Sequence, residues 1–266
     1  MKLGVSYNLF DGEELLEYSI ASIKPNVDYI SVVMQEVSNH GAQCNPGLLQ
    51  YLKDLKDKNI INDICIYKPT FSGDPLQASL NETYKRNVGL ELSKRNNCTH
   101  HMSMDTDEFY TNDQFRYMKS KIEKENLDTG FCQHCQYYKD SIYILKNKEQ
   151  EYVPTIEKIH PTTKYIYKEK PSVPTDPTRQ TTNTKQYLFN RNEVEMHHMS
   201  FVRKNIKRKL DNSSCRRHFT ESQIEKITEY YKNWKFPQPA MWAGGNLLEV
   251  IKVPRLFEIY QVETST

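Results

Sequence analysis

Apolar residues in the first 110 positions follow two alternating patterns. Compact apolar runs at 2–7, 29–34 (YISVVM), 64–67 and 100–104 predict buried strands, whereas 13–23, 46–58 and 76–94 repeat their apolar residues at helical spacing. In 46–58, Leu48, Leu49, Leu52 and Leu55 form one such stripe. Strands and helices in this alternation predict a mainly parallel sheet with helices on both faces.

The pattern changes after a predicted helix at 112–125. Strand-like pieces at 130–138, 143–145, 152–159 and 164–167 predict an antiparallel portion, and 168–185, rich in Pro, Thr and Lys, reads as a long loop of the functional or mobile kind. A strand at 194–199 and helices at 201–210 and 221–234 follow, and the tail from residue 237 is apolar enough to pack on the body. No linker asks for a domain cut. The expectation is one α/β domain over 1–266, with a parallel half at 1–110 and a smaller antiparallel half with C-terminal helices at 111–266.

Composition narrows the function classes. With 36 basic and 34 acidic residues the charge is nearly balanced, which argues against a nucleic-acid binder. Tyr (18) and Phe (10) are plentiful and Gly (9) scarce, as in a packed globular protein. No apolar stretch reaches the ~20 residues of a membrane span, and the N-terminus lacks the apolar core of a signal peptide. A soluble, cytoplasmic protein with reduced cysteines is expected. Cys132 and Cys135 have C-x-x-C spacing, but within a strand, residues three apart point to opposite faces and do not share an ion.

Charge is concentrated locally in 203–217, where Arg203, Lys204, Lys207, Arg208, Lys209, Arg216 and Arg217 face a single acid, Asp211. Val202, Ile206 and Leu210 fall at i, i+4 and i+8 beneath that face. A solvated surface, a phosphate clamp, an anionic acceptor contact and a peripheral membrane contact all remain open.

The run MDTDEFY carries the candidate chemistry, since it places Asp105 and Asp107 just beyond the fourth predicted strand. In open α/β sheets ligands bind beyond the carboxyl ends of the strands. Mg²⁺ and Mn²⁺ are held there through one or two carboxylates plus substrate phosphates, an arrangement that suits a diphosphate leaving group. No G-x-G-x-x-G follows the first strand, which disfavours a hydride-transfer enzyme.

With its surroundings, YKRNVGLELSKRNNCTHHMSMDTDEFY and the later EMHHMSFVRKNIKRKL, this motif resembles the GT-A glycosyltransferases, in particular the family 2-like group with a D-x-D-E-F motif. The resemblance implies a single GT-A domain whose first half binds a nucleotide sugar and whose second half takes a glycan acceptor. It implies a UDP-sugar donor with Mn²⁺ or Mg²⁺, nucleoside contacts from Ser6, Tyr7, Asn8 and Glu13, and further contacts from Gln35 and Glu36. At Gln35-Glu36 the chain departs from the commoner pattern of an acidic residue plus Ser or Asp. Lys85, Arg86 and Asn87 match positions near the diphosphate or sugar. Asp107 becomes the direct metal ligand and Asp105 its helper, near the ribose or a metal-bound water.

A third ligand is expected at His197 or His198. Strand alternation puts Val194, Met196 and His198 on one face and Glu195, His197 and Met199 on the other, without choosing between them. An inverting enzyme also needs a carboxylate base, for which Asp176, Glu193 and Glu195 are candidates, Asp176 in a loop stiffened by Pro174 and Pro177. Trp242 in MWAGGN is either a sugar-stacking or a core aromatic. The alternatives to a glycosyltransferase are a metal-dependent nucleotidyltransferase or phosphohydrolase, and a non-catalytic sugar- or nucleotide-binding module.

Overall fold

The computed structural model describes residues 1–213, 216, 219–242 and 245–259. Cys215, Arg217 of the basic segment and Gly244 of MWAGGN lie outside the described residues.

The chain opens with β1 (Leu3–Leu9), α1 (Glu13–Ile23), β2 (Tyr29–Gln35), α2 (Leu48–Asp57), β3 (Asp63–Tyr67), α3 (Gln77–Arg95) and β4 (His100–Asp105). β1 pairs in parallel with both β2 and β4, and β2 with β3. Every residue of β1 and β2 is buried, because helices cover both faces of this part of the sheet. Leu48, Leu52 and Leu55 of the predicted stripe are buried against that core, with Leu49 packed on it partly exposed.

A short β5 (Glu108–Phe109) and α4 (Asn112–Lys124) lead to β6 (Thr129–Tyr138), β7 (Asp140–Leu145) and β8 (Tyr152–Lys158). β8 runs antiparallel between β4 and β6, so the parallel and antiparallel portions form one continuous sheet. β9 (Tyr165–Ile166) leaves that sheet and pairs with β10 (Gln180–Thr181). Within the expected loop, therefore, Pro177–Arg179 is a 3-10 turn feeding a short strand pair. β11 (Gln186–Leu188) and β12 (Glu195–Phe201) both lie parallel to β6.

The helix expected over 201–210 begins later, as α5 (Ile206–Asn212), because the Asn205 side chain accepts from Arg208 N and caps it there. Val202 is consequently not on its stripe. It packs with Met199 and Phe257, whereas Ile206 and Leu210 pack with α6 (Glu221–Asn233). The tail supplies β13 (Ala240–Met241), β14 (Leu247–Leu248) and β15 (Val250–Lys252), the last extending the sheet beside β7. Cys132 and Cys135 point to opposite faces of β6, towards Tyr110 and His197 respectively. Among the described residues no helix is long and apolar enough to cross a membrane.

Candidate active site

From β1 the chain moves outward to β2 and β3, then returns across β1 to β4. The carboxyl ends of β1 and β4 thus flank a topological switch point, with Asn8 in register with Asp105. A cavity of about 540 Å³ opens there. Asp105 ends β4, Thr106 and Asp107 turn, and Glu108 enters β5. β5 pairs antiparallel with β12, setting His198 opposite Glu108, and Met199 N donates to Asp107 O at 2.7 Å. A strand ninety residues downstream therefore braces the acidic turn.

The three carboxylates differ in their partners. Asp105, 35% exposed, is bridged by Arg179 and by Arg86 Nη2 at 3.4 Å. Burial pushes its carboxyl up, but the two guanidiniums hold it below the usual range. Asp107 is buried, with Arg203 and Lys209 on Oδ2 and His198 Nε2 at 3.5 Å from Oδ1. Here too burial is outweighed, by Lys209, Arg203 and His198, and the carboxyl sits well below its ordinary value. Glu108 is buried against Arg179, and burial together with Asp105 raises its carboxyl against the pull of that guanidinium.

Arg203, two residues after β12, lies between Asp107 and the start of α1. Gly12, which precedes that helix, has φ +87°, and a Cβ there would lie 1.7 Å from Arg203 Nη1, so both backbone and space call for glycine.

Among the expected residues, Asn8, Lys85, Arg86, Asp105, Asp107, Asp176 and His198 line the cavity. Asn8 Nδ2 donates to Ser103 Oγ at 3.0 Å, and Lys85 Nζ, only 4% exposed, donates to Gln35 Oε1 at 2.6 Å. Asp176 stands at the rim, its Oδ1 accepting from Thr178 N at 2.8 Å as an Asx cap of the 3-10 turn.

Other expected residues do not line the cavity. His197 turns to the opposite face of β12, its Nδ1 3.0 Å from Tyr137 Oη, with burial lowering its pKa to about 4. His198 is therefore the histidine beside Asp107. Glu195 lies on the His197 face and is paired with Lys148 and Arg191, away from the cavity. Tyr7 points into the core and bonds Ser19, and Ser6 lies under α3, where Gly89 approaches it closely. Gln35 acts on Lys85, and Glu36 contributes its backbone oxygen to Cys44 N. Asn87 clamps β9 through both backbone groups of Tyr165. Glu13 lines a separate pocket of about 600 Å³ with Glu17 and Tyr51.

Much of the basic segment is held in ion pairs. Arg203 and Lys209 reach Asp107, Arg208 reaches Asp11, and Lys207 and Arg216 pair with acids of α5 and α6. These contacts engage the side chains with carboxylates of the protein itself. Sequence reasoning missed His134 and Gln136 on β6, and Glu149 and Glu151 before β8, all of which line the cavity. Polar residues at alternate positions of an otherwise buried strand, as at 134 and 136, were the available signal. Burial lowers the pKa of His134 to about 3, with His198 adding to the shift, so its imidazole is neutral. Trp242 also lines the cavity, stacked on Phe201 at 4.2 Å.

Among the described residues no three His, Cys, Asp or Glu side chains converge as a metal cage. Asp107 Oδ1 and His198 Nε2, 3.5 Å apart, are two candidate donors. That set fits Mg²⁺ or Mn²⁺ that completes its coordination with phosphate oxygens and water.

No protein-family model and no curated protein matches the sequence. Among solved structures, Staphylococcus aureus TarS residues 1–349 is 13% identical, covers 88% of this chain and 71% of its own, and superposes with a TM-score of 0.44. A longer S. aureus TarS structure, also 13% identical, covers 88% of this chain and 43% of its own at a TM-score of 0.45. TarS 1–349 in complex with UDP-GlcNAc is 13% identical and covers 88% and 72%, at 0.44.

Proposed function

We propose that this chain is a glycosyltransferase that moves a sugar from a nucleoside diphosphate donor, with UDP as the expected nucleotide, to a hydroxyl of a glycan acceptor. The observation that carries the reading is the acidic turn at the switch point, ringed by Lys85, Arg86, Arg179, Arg203 and Lys209. A cavity with several cations and two candidate metal donors suits a diphosphate. In the reaction the acceptor oxygen attacks the anomeric carbon, the bond from that carbon to the β-phosphate oxygen breaks, and the nucleoside diphosphate departs. The cations of the ring stabilise its developing charge. Asp107 and His198 would hold Mn²⁺ or Mg²⁺, which when bound supplies Lewis-acid neutralisation of the leaving group. Asp176, at the rim, takes the proton of the acceptor hydroxyl in an inverting transfer.

The test is a panel of UDP-, GDP- and dTDP-sugars with Mn²⁺, read by calorimetry and nucleotide release. At least one donor is expected to bind, and Asp107→Ala should abolish the metal-dependent part of that binding. Failure of every donor to bind removes the reading, while unchanged affinity in Asp107→Ala removes Asp107 as a ligand. Nucleotide release without transfer to any acceptor points to the phosphohydrolase alternative.

A further inference from the structure

One wall of the cavity has buried polar atoms that no described residue satisfies. His134 and Gln136 on β6, 8% and 7% exposed, face the cavity beside His198 on β12. His134 Nδ1, Gln136 Oε1 and His198 Nδ1 lack hydrogen-bond partners, as do Thr175 Oγ1 and Arg179 Nη1 on the facing loop. Folded proteins leave few such atoms, because each costs about 1–3 kcal/mol when desolvated and unpaired. Those on β6 and β12 face the atoms of the loop across the cavity, and a polar ligand between them can complete both sets.

Charge is distributed unevenly along the same cavity. Arg86, Arg179, Arg203 and Lys209 all contact Asp105 or Asp107, at the end assigned above to the diphosphate. Glu149, Glu151 and, following Thr175, Asp176 line the cavity as well. Arg191 ties this group together, donating to the backbone oxygens of both His134 and Glu149. Its charge, with that of Lys148, is directed to Glu195 outside the cavity. The wall therefore offers an imidazole, an amide and carboxylates, and the facing Arg179, whose charge is taken by Asp105 and Glu108, adds one N–H.

We propose that the His134–Gln136 wall binds the hydroxyl face of an uncharged sugar ring. The proposal rests on the glycosyltransferase reading and names the class of sugar. A hydroxyl both donates and accepts, so it can satisfy Gln136 Oε1 and a carboxylate while meeting His134 in either tautomer. A uronic acid or a phosphorylated sugar would instead bring its negative charge against Glu149, Glu151 and Asp176. The ring belongs either to the donor or to the acceptor, and the experiment separates the two.

The wild-type protein is titrated with Mn²⁺ and the nucleotide that binds in the panel above. The nucleotide is used alone and as its neutral and acidic sugar derivatives, UDP-glucose against UDP-glucuronate or GDP-mannose against GDP-mannuronate. A second arm titrates methyl glucoside and methyl glucuronide into the protein saturated with nucleotide and Mn²⁺. The neutral sugar is expected to bind about tenfold tighter than the acidic one in one arm, which identifies the ring as donor or acceptor. In that arm Gln136→Leu and His134→Phe should each lose about fivefold or more, with affinity for the bare nucleotide unchanged. Equal binding of neutral and acidic sugars in both arms overturns the proposal, as does wild-type sugar affinity in both variants. The comparison of neutral with acidic sugars needs no variant, so a misfolded substitution leaves it intact. Wild type that binds nucleotide without distinguishing sugars sinks this inference alone, whereas wild type that binds no nucleotide sinks the reading beneath it.

Discussion

Arg179→Met keeps the apolar stem of a buried side chain and removes the guanidinium whose charge joins Asp105 to Glu108. Arg179 is 7% exposed, and its guanidinium reaches both carboxylates. The two are not equally stranded by its loss. Asp105 retains Arg86 and is partly open to water, so it rehydrates. Glu108 is 2% exposed and, among the described residues, keeps the backbone N–H of Asp105 at 3.2 Å and the nearby His198. Removing one partner of a buried ion pair costs about 3–5 kcal/mol. With one of the two carboxylates rehydrated, the low end of about 3 kcal/mol applies, which in a chain of this size lowers Tm by roughly 6–12 °C.

The sign of the pH dependence follows from Glu108. Burial already raises its carboxyl in the folded protein, and Arg179 is the main group opposing that shift. Without Arg179 the folded pKa rises further above the unfolded value of about 4.3. A group raised in this way favours the folded state fully below the unfolded pKa and loses that contribution as pH climbs through the folded pKa. The deficit of Arg179→Met against wild type should therefore be smaller at pH 5 than at pH 8, and adding Glu108→Gln should recover most of it at pH 8. Thermal melts followed by circular dichroism at the two pH values measure both effects. A Tm within about 2 °C of wild type, or an equal deficit at both pH values with no rescue by Glu108→Gln, would refute the reasoning.

Two further outcomes are expected. Asp176→Asn should retain nucleotide-sugar affinity and lose transfer, since it removes the proton acceptor and leaves the cap of the 3-10 turn in place; full transfer activity would eliminate Asp176 as the base. Glu157 is buried on β8, accepts from Thr129, Thr181 and Asn183, and has its pKa raised to about 7 by burial. Its contribution to stability is complete below the unfolded pKa and disappears as pH rises through about 7, so the pH–Tm curve of Glu157→Gln should be flatter than wild type between pH 5 and 8; superimposable curves would exclude it.

The parallel half was legible because its signals are local. Compact apolar runs and helical stripes depend only on neighbours in the chain, and the acidic run directly follows β4. What escaped is set by pairing at a distance. Alternation alone did not choose between His197 and His198, because both faces of β12 are buried; the antiparallel pairing with β5 makes the choice, placing His198 opposite Glu108. The roles of Arg179 and Arg203 depend on contacts across 74 and 96 positions, which no window along the sequence contains. The helical reading of 201–210 failed because Val202 matched the spacing of Ile206 and Leu210, yet the Asn205 cap starts the helix after it and sends it to a different part of the core.

Asp107 has one further consequence, which concerns the order in which its partners bind. Its Oδ2 already carries Arg203 and Lys209, while Oδ1 faces His198. A divalent ion arriving at Oδ1 and His198 Nε2 comes close to two positive charges, and unit charges roughly 4 Å apart interact by about 4 kcal/mol at an effective dielectric near 20. Metal alone is therefore resisted by the residues that hold the turn. A nucleoside diphosphate placed between them reverses the balance, since its negative charge attracts the ion, Arg203 and Lys209 together. The ion and the nucleotide are expected to bind cooperatively, each tightening the other by the same factor, in the range of about 5–150-fold for typical couplings. Calorimetric titration of Mn²⁺ with and without saturating nucleotide measures that factor. Lys209→Met should raise the affinity for Mn²⁺ alone and shrink the coupling, because it removes part of the repulsion and part of the phosphate contact at once. Equal Mn²⁺ affinity with and without nucleotide, or metal-only affinity unchanged by Lys209→Met, would show that the cations around Asp107 hold the turn without governing what it binds.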